Sequence, residues 1–216
     1  MKTIFYLFLF CAGCLLLFSC QKELSIDTLN AGNPGNGGGT TNTSLVGNWN
    51  LISLDVKTES ISSYDLDGAT IKGIAKYQAV TENNKGYFSI SSNIIKAIGL
   101  SYSLSTDVVL ETYLGPLKTD EQTIPLEMTM PPYDATSNYQ QVNNDSIYLP
   151  EGVVFDIPDA GTQPTGANEP VGATYTIQSD TLKIKANFDK SMIVNQGGID
   201  FQVHQTGTAI YSLKKQ

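Results

Sequence analysis

From Leu45 to the C-terminus the chain alternates apolar and polar residues with a period of two. Ala69, Ile71, Gly73, Ala75, Tyr77 and Ala79 share one parity, while Thr70, Lys72, Lys76 and Gln78 share the other. Ile124, Leu126, Met128 and Met130 alternate with Pro125, Glu127 and Thr129, and Leu182, Ile184, Ala186 and Phe188 with Lys183, Lys185 and Asn187. Ile199, Phe201 and Val203 alternate with Asp200, Gln202 and His204. Successive side chains of a strand point to opposite faces, so this pattern builds strands with one dry face and one wet face. Helical spacing is confined to Asn93–Leu100, where Ile94, Ile95 and Ile98 predict one short helix.

Turn residues separate the runs. Glu82-Asn83-Asn84-Lys85-Gly86 predicts a hairpin loop, as do Asn143-Asn144-Asp145-Ser146 and Gln178-Ser179-Asp180-Thr181. In Leu45–Val56 the apolar parity switches between Leu51 and Leu54, which a bulge or a sharp bend after Leu51 would reconcile. Residues 92–120 read as an insertion, and the proline- and glycine-bearing stretch 150–172 as a long loop around a short strand at Val153–Ile157. Eight to ten strand candidates with sequential neighbours predict an all-β, antiparallel up-and-down barrel, with a β-sandwich as the alternative.

The first twenty residues do not belong to that domain. Lys2 precedes an apolar run from Ile4 to Phe18, short for a membrane-spanning helix, and the run ends in Leu17-Phe18-Ser19-Cys20. This ending resembles the bacterial lipobox, which implies cleavage before Cys20 and acylation of its sulfur and amine. Residues 1–19 then form a lipoprotein signal peptide, and residues 20–44, rich in glycine and asparagine, a flexible tether. The 24 residues Gln21–Ser44 reach about 25–30 Å as a flexible chain. Lipidation at Cys20 predicts a lipid bilayer as the first partner and an outer-membrane location, on the periplasmic face or the cell surface.

Charge and chemistry narrow the rest. The chain has no arginine and a net charge of −8, which argues against a nucleic-acid partner. With Cys11 and Cys14 in the signal peptide and Cys20 acylated, no thiol remains for a disulfide, a metal site or a nucleophile. His204 is the only histidine, so neither a conventional zinc site nor a serine–histidine–aspartate relay assembles. Asp65-Leu66-Asp67-Gly68 has the alternating oxygens of a calcium loop without the later glutamate. The chain is therefore read as non-catalytic, with no cofactor.

Leu45-Val46-Gly47-Asn48-Trp49 opens the domain directly after the tether, and Ala209–Lys215 closes it with an apolar strand and a basic end. A Gly-x-Trp in the first strand followed by an up-and-down β pattern resembles the lipocalin superfamily, nearest to the lipocalin-like domains of bacterial lipoproteins. The resemblance implies a barrel holding one small apolar ligand at its open end and Trp49 packed at the base under a basic residue. That residue is an arginine in the family; here Lys214 or Lys215 must serve. Ile71, Tyr77, Ile124, Leu126 and Met128 are the candidate ligand lining. The alternative is a glycan- or protein-binding accessory module using tyrosines such as Tyr133, Tyr139 and Tyr148.

Overall fold

The structure is a computed structural model and describes residues 45–66, 68–155 and 170–216. The expected signal peptide, Cys20, the expected tether, Asp67 and most of the 150–172 segment lie outside the described residues. The described chain is all-β and antiparallel, with no α-helix. Its strands are β1 (Gly47–Leu66), β2 (Ala69–Val80), β3 (Glu82–Ile90), β4 (Ile94–Leu114), β5 (Leu117–Asn138), β6 (Gln140–Asn143), β7 (Ser146–Leu149), β8 (Val171–Gln178), β9 (Thr181–Gln196) and β10 (Ile199–Lys215).

All ten strands form one sheet in which β10 returns to pair with β1. β2 and β3 both pair with β1 and with β4, so these four strands bond in a ring. The ring has a simple origin: β2 and β3 are one strand, interrupted at Thr81, lying between β1 and β4. β5 runs into β6 across Tyr139 alone and changes partner there, from β4 to β7. The pairings thus return on themselves in a barrel-like meander. Closure runs through a strand that switches partners, not through two ladders side by side.

The interruption at Thr81 is held by side chains. Leu54 N–H donates to Thr81 Oγ1 at 2.9 Å, and Thr81 Oγ1 donates to Asn84 Oδ1 at 2.6 Å. Asn84 Nδ2 then donates to the Ile52 carbonyl at 2.9 Å. Ile52 is the residue skipped in the β1–β10 ladder, between Leu51 and Ser53. The bulge expected after Leu51 is therefore present, and Asn84 satisfies a carbonyl next to it.

Four local expectations are corrected. Asn93–Leu100 is not helical; it is the start of β4, where Ile95, Ala97 and Leu100 are buried. A register shift between Ala97 and Leu100 skips residues, and that bulge imitates helical spacing. For the same reason residues 92–120 are no insertion, because they build the long β4–β5 hairpin. Glu82–Gly86 is not a hairpin loop but part of β3, with the bulges absorbed at Asn83 (φ 53°) and Gly86 (φ 85°). Gly152–Phe155 is a 3-10 turn and not a strand; it buries Val154, whose N–H reaches Ser137 Oγ at 3.3 Å.

The inward parity of every long strand packs into one cluster near the end where β1 begins and β10 finishes. Trp49, Leu54, Phe88, Ile95, Leu100, Met130, Leu149, Leu182, Ile184 and Tyr211 are all buried there. A single cluster fed by one face of one sheet requires that sheet to roll around it. This filled half is called the base below.

Candidate functional site

At the base, Trp49 is 1% exposed and its Nε1–H donates to the Leu45 carbonyl at 3.0 Å. Lys215 Nζ lies 5.6 Å from the centre of the indole ring. Lys214 instead points to Asp180 at 3.6 Å. Of the two lysines left open by the sequence, Lys215 takes the position over the tryptophan. Its ammonium attracts the ring face without the planar stacking of a guanidinium.

Beyond the base the sheet continues as β5, β4, β2, β1, β10 and β9, and burial falls away. The register places Ile71 and Tyr77 of β2 on the same inward face as Ile124, Leu126 and Met128 of β5, on either side of β4. Ile124 faces Val108, Leu126 faces Thr106 and Met128 faces Leu104. All five candidate residues are half-buried, and Tyr77 and Met128 abut the core. The middle of this face carries small side chains, with Ser60 opposite Ala75 and Ser62 opposite Gly73. The far side is apolar again, with Phe201 ring-to-ring with Tyr64 at 4.8 Å and Val203 buried. The result is a floor of small residues between two larger apolar flanks.

Phe188 marks where the filled half ends. A Cβ built on Gly207 would sit 2.1 Å from Phe188 Cζ, so the ring lies directly across the β10 backbone, which only a glycine there permits. Thr58, paired with both Gly207 and Tyr77, is buried at the same level. An open groove of about 820 Å³ crosses β9, β10, β1, β2 and β4 here. Its lining is mostly of outward parity, including Lys57, Glu59, Lys76, Gln78, Asp189 and Thr208, and of the five candidates only Tyr77 reaches it.

The outward face carries a charge network. Glu111 accepts from Lys118 Nζ at 2.7 Å and from Lys76 Nζ at 3.2 Å; Lys118 also meets Glu121, and Lys76 lies 3.7 Å from Glu59. The hydrogen bonds from Lys118 and Lys76 hold the Glu111 carboxyl down at about 2, and Glu111 in turn raises both lysines. A carboxyl depressed in the folded state adds stability above its ordinary value of 4.5, and that stability is lost as pH falls toward 2. Glu111→Gln is therefore expected to lower the urea midpoint at pH 7 slightly. The gap from the native chain should close between pH 4.5 and 2. A constant gap across that range would rule the linkage out.

The remaining sequence candidates scatter. His204 is on the wet face, as its parity predicts, and its Nε2 meets Asp189 Oδ1 at 2.7 Å. Tyr133 and Tyr139 are buried, 8% and 5% exposed, and cannot form a surface platform with Tyr148. Tyr139 donates its hydroxyl to the Ser91 carbonyl at 2.7 Å, and burial raises its pKa. Asp65 accepts from Thr70 at 2.7 Å, as an ordinary turn residue does. Among the described residues no three histidine, aspartate or glutamate side chains gather into a metal site. Sequence reasoning missed the clasp of Thr81 and Asn84 onto Leu54 and Ile52 and the Gly207–Phe188 overlay, because each joins residues on different strands.

No protein-family model, curated protein or solved structure matches this chain.

Proposed function

We propose that this domain is a non-catalytic, lipocalin-like binding module, held at the cell envelope by lipid on Cys20, that takes a small apolar or amphipathic ligand on its open inward face. The observation that carries the reading is the contrast within one face of one sheet. The base half is packed with buried side chains, while the other half leaves Ile71, Tyr77, Ile124, Leu126 and Met128 half-exposed. Apolar side chains left half-wet on an inward face represent unspent burial energy that a ligand of matching shape recovers. The cation over Trp49 at the base supports the lipocalin-like comparison. The accessory reading through surface tyrosines loses support, because two of its three tyrosines are inside.

Ala75 lies in the floor, opposite Ser60 and Leu110. Native mass spectrometry of the protein purified from its own envelope is expected to show a discrete added mass that denaturation removes. Ala75→Trp should fill the floor and abolish that mass while the thermal transition stays cooperative. An unchanged adduct on Ala75→Trp would move the ligand elsewhere. A clean apo mass for the native chain would refute a retained ligand.

A further inference from the structure

The turns at the two ends of the sheet differ in chemistry. Those toward the base are polar: Ser91-Ser92-Asn93 between β3 and β4, Asn144-Asp145 between β6 and β7, and Ser179-Asp180 between β8 and β9. That is ordinary turn chemistry. At the open end the β1–β2, β4–β5 and β9–β10 turns are flanked by Leu66, Leu114, Leu117 and Ile199. These four are 47%, 48%, 66% and 37% exposed. All four have inward parity. Tyr64 pairs with Ile71, Ile71 with Leu114 and Leu114 with Leu117, while Leu66 and Ile199 lie two residues from Tyr64 and Phe201. They also stand at one level. Ser63 pairs with Gln202, which brings Leu66 abreast of Ile199. Gly115 N–H donates to the Thr70 carbonyl at 2.8 Å, which ties the β4–β5 turn to the β1–β2 turn. Single exposed leucines are common on protein surfaces, but four at the mouth of one open apolar face form a patch.

We propose that this mouth docks on a lipid bilayer, with the three turns seated among the acyl chains. The inference rests on the reading of the inward face as open, and it assigns the surface that the opening meets. A protein partner needs about 800 Å² of matched surface, centred on aromatic and arginine side chains. The rim offers aliphatic side chains on separate narrow turns, and fluid acyl chains fill the gaps between such tips where a rigid surface does not. The N-terminal chain points to the same partner: read as acylated at Cys20, it holds the domain to a membrane through the 24 residues Gln21–Ser44. Extended, those residues span about 80 Å, more than the roughly 65 Å of β1, so the mouth at the far end of β1 comes within reach of that membrane. Asp65 and Asp200 are exposed beside Leu66 and Ile199, so the surface that suits the mouth is zwitterionic lipid rather than anionic.

The full-length chain carrying Leu117→Trp is reconstituted in phosphatidylcholine vesicles, and the Trp49 emission of the native chain is subtracted. With brominated acyl chains the added tryptophan should lose most of the emission that it shows in ordinary lipid. Thr123→Trp, further along β5 on the wet face, should keep its emission. Adding Leu66→Asp and Leu114→Asp should restore the emission of Leu117→Trp. Both leucines are about half exposed, so the core is left intact and the thermal transition should stay cooperative. Emission at position 117 that ignores bromine, the result if a second copy or another protein covers the mouth, would overturn the proposal. Equal quenching at 117 and 123, or quenching that survives both aspartates, would do the same. The ligand reading stands or falls separately: an added mass without quenching removes the docking alone, and quenching with a clean apo mass removes the retained ligand alone.

Discussion

Trp49→Ala is expected to lower the unfolding free energy by about 3–5 kcal/mol, the range for emptying a buried aromatic site. The indole is 1% exposed and sits in the cluster that joins the first and last described strands. Neighbouring strands cannot collapse into the space, because β1 is pinned on one side by β3 and on the other by β10. The Leu45 carbonyl also loses its donor. Lys215 supplies the comparison. It contributes only a cation at 5.6 Å from the ring and is itself exposed. Lys215→Ala should therefore cost about 0.5–1 kcal/mol, and Lys215→Arg should match or exceed the native chain, since a guanidinium stacks on indole. Denaturant unfolding of the three variants checks the order. A Trp49→Ala loss no larger than that of Lys215→Ala would show that the base is not a packed core.

The second large effect is at Gly86. Its φ is 85°, and a Cβ there would lie 2.5 Å from the Gly99 carbonyl oxygen and 2.6 Å from that of Ile98. Those atoms are backbone of the neighbouring strand, at the place where the β3–β4 register shifts, so they cannot swing aside. Gly86→Ala combines a left-handed backbone with an overlap and is expected to cost about 3 kcal/mol or more. Gly99 has a φ of 58° but nothing within 4 Å of its would-be Cβ. Gly99→Ala should cost only the conformational penalty of about 1–2 kcal/mol. Equal losses at the two positions would mean that strand contact plays no part and only φ matters.

Much of this fold is legible from alternation alone. The parities read from 69–79, 124–130, 182–188 and 199–203 are those that turn inward in the structure, because a pleated strand has no other way to place consecutive side chains. The parity break near Leu51 announces a real bulge, which appears as the skipped Ile52. The same reasoning fails at Ile94, Ile95 and Ile98, where a bulge produces the spacing of a helix. Period cannot separate the two over eight residues. It fails again at Asn83–Asn84, where turn-forming residues sit inside a strand, because Asn84 is spent on Ile52 and Thr81.

The candidate site divides along the same line. That Ile71, Tyr77, Ile124, Leu126 and Met128 face the same way follows from parity, since each strand keeps its dry side toward the core. How wet each one remains does not follow, because exposure depends on which strands stand opposite. Tyr133 and Tyr139 look like the half-buried Tyr148 in sequence and are fully inside only because they lie at the base. By itself the sequence determined strands, their faces, their turns at Asn144 and Ser179, and the acidic net charge. Tertiary structure alone decided that one half of the inward face is filled and the other open. It also decided that β10 pairs with β1 and that, among the described residues, the prolines of β5 lie on an edge of the sheet. Faces are local, set by two residues of backbone geometry, whereas closure, filling and edges depend on pairings more than a hundred residues apart, such as Trp49 with Lys215.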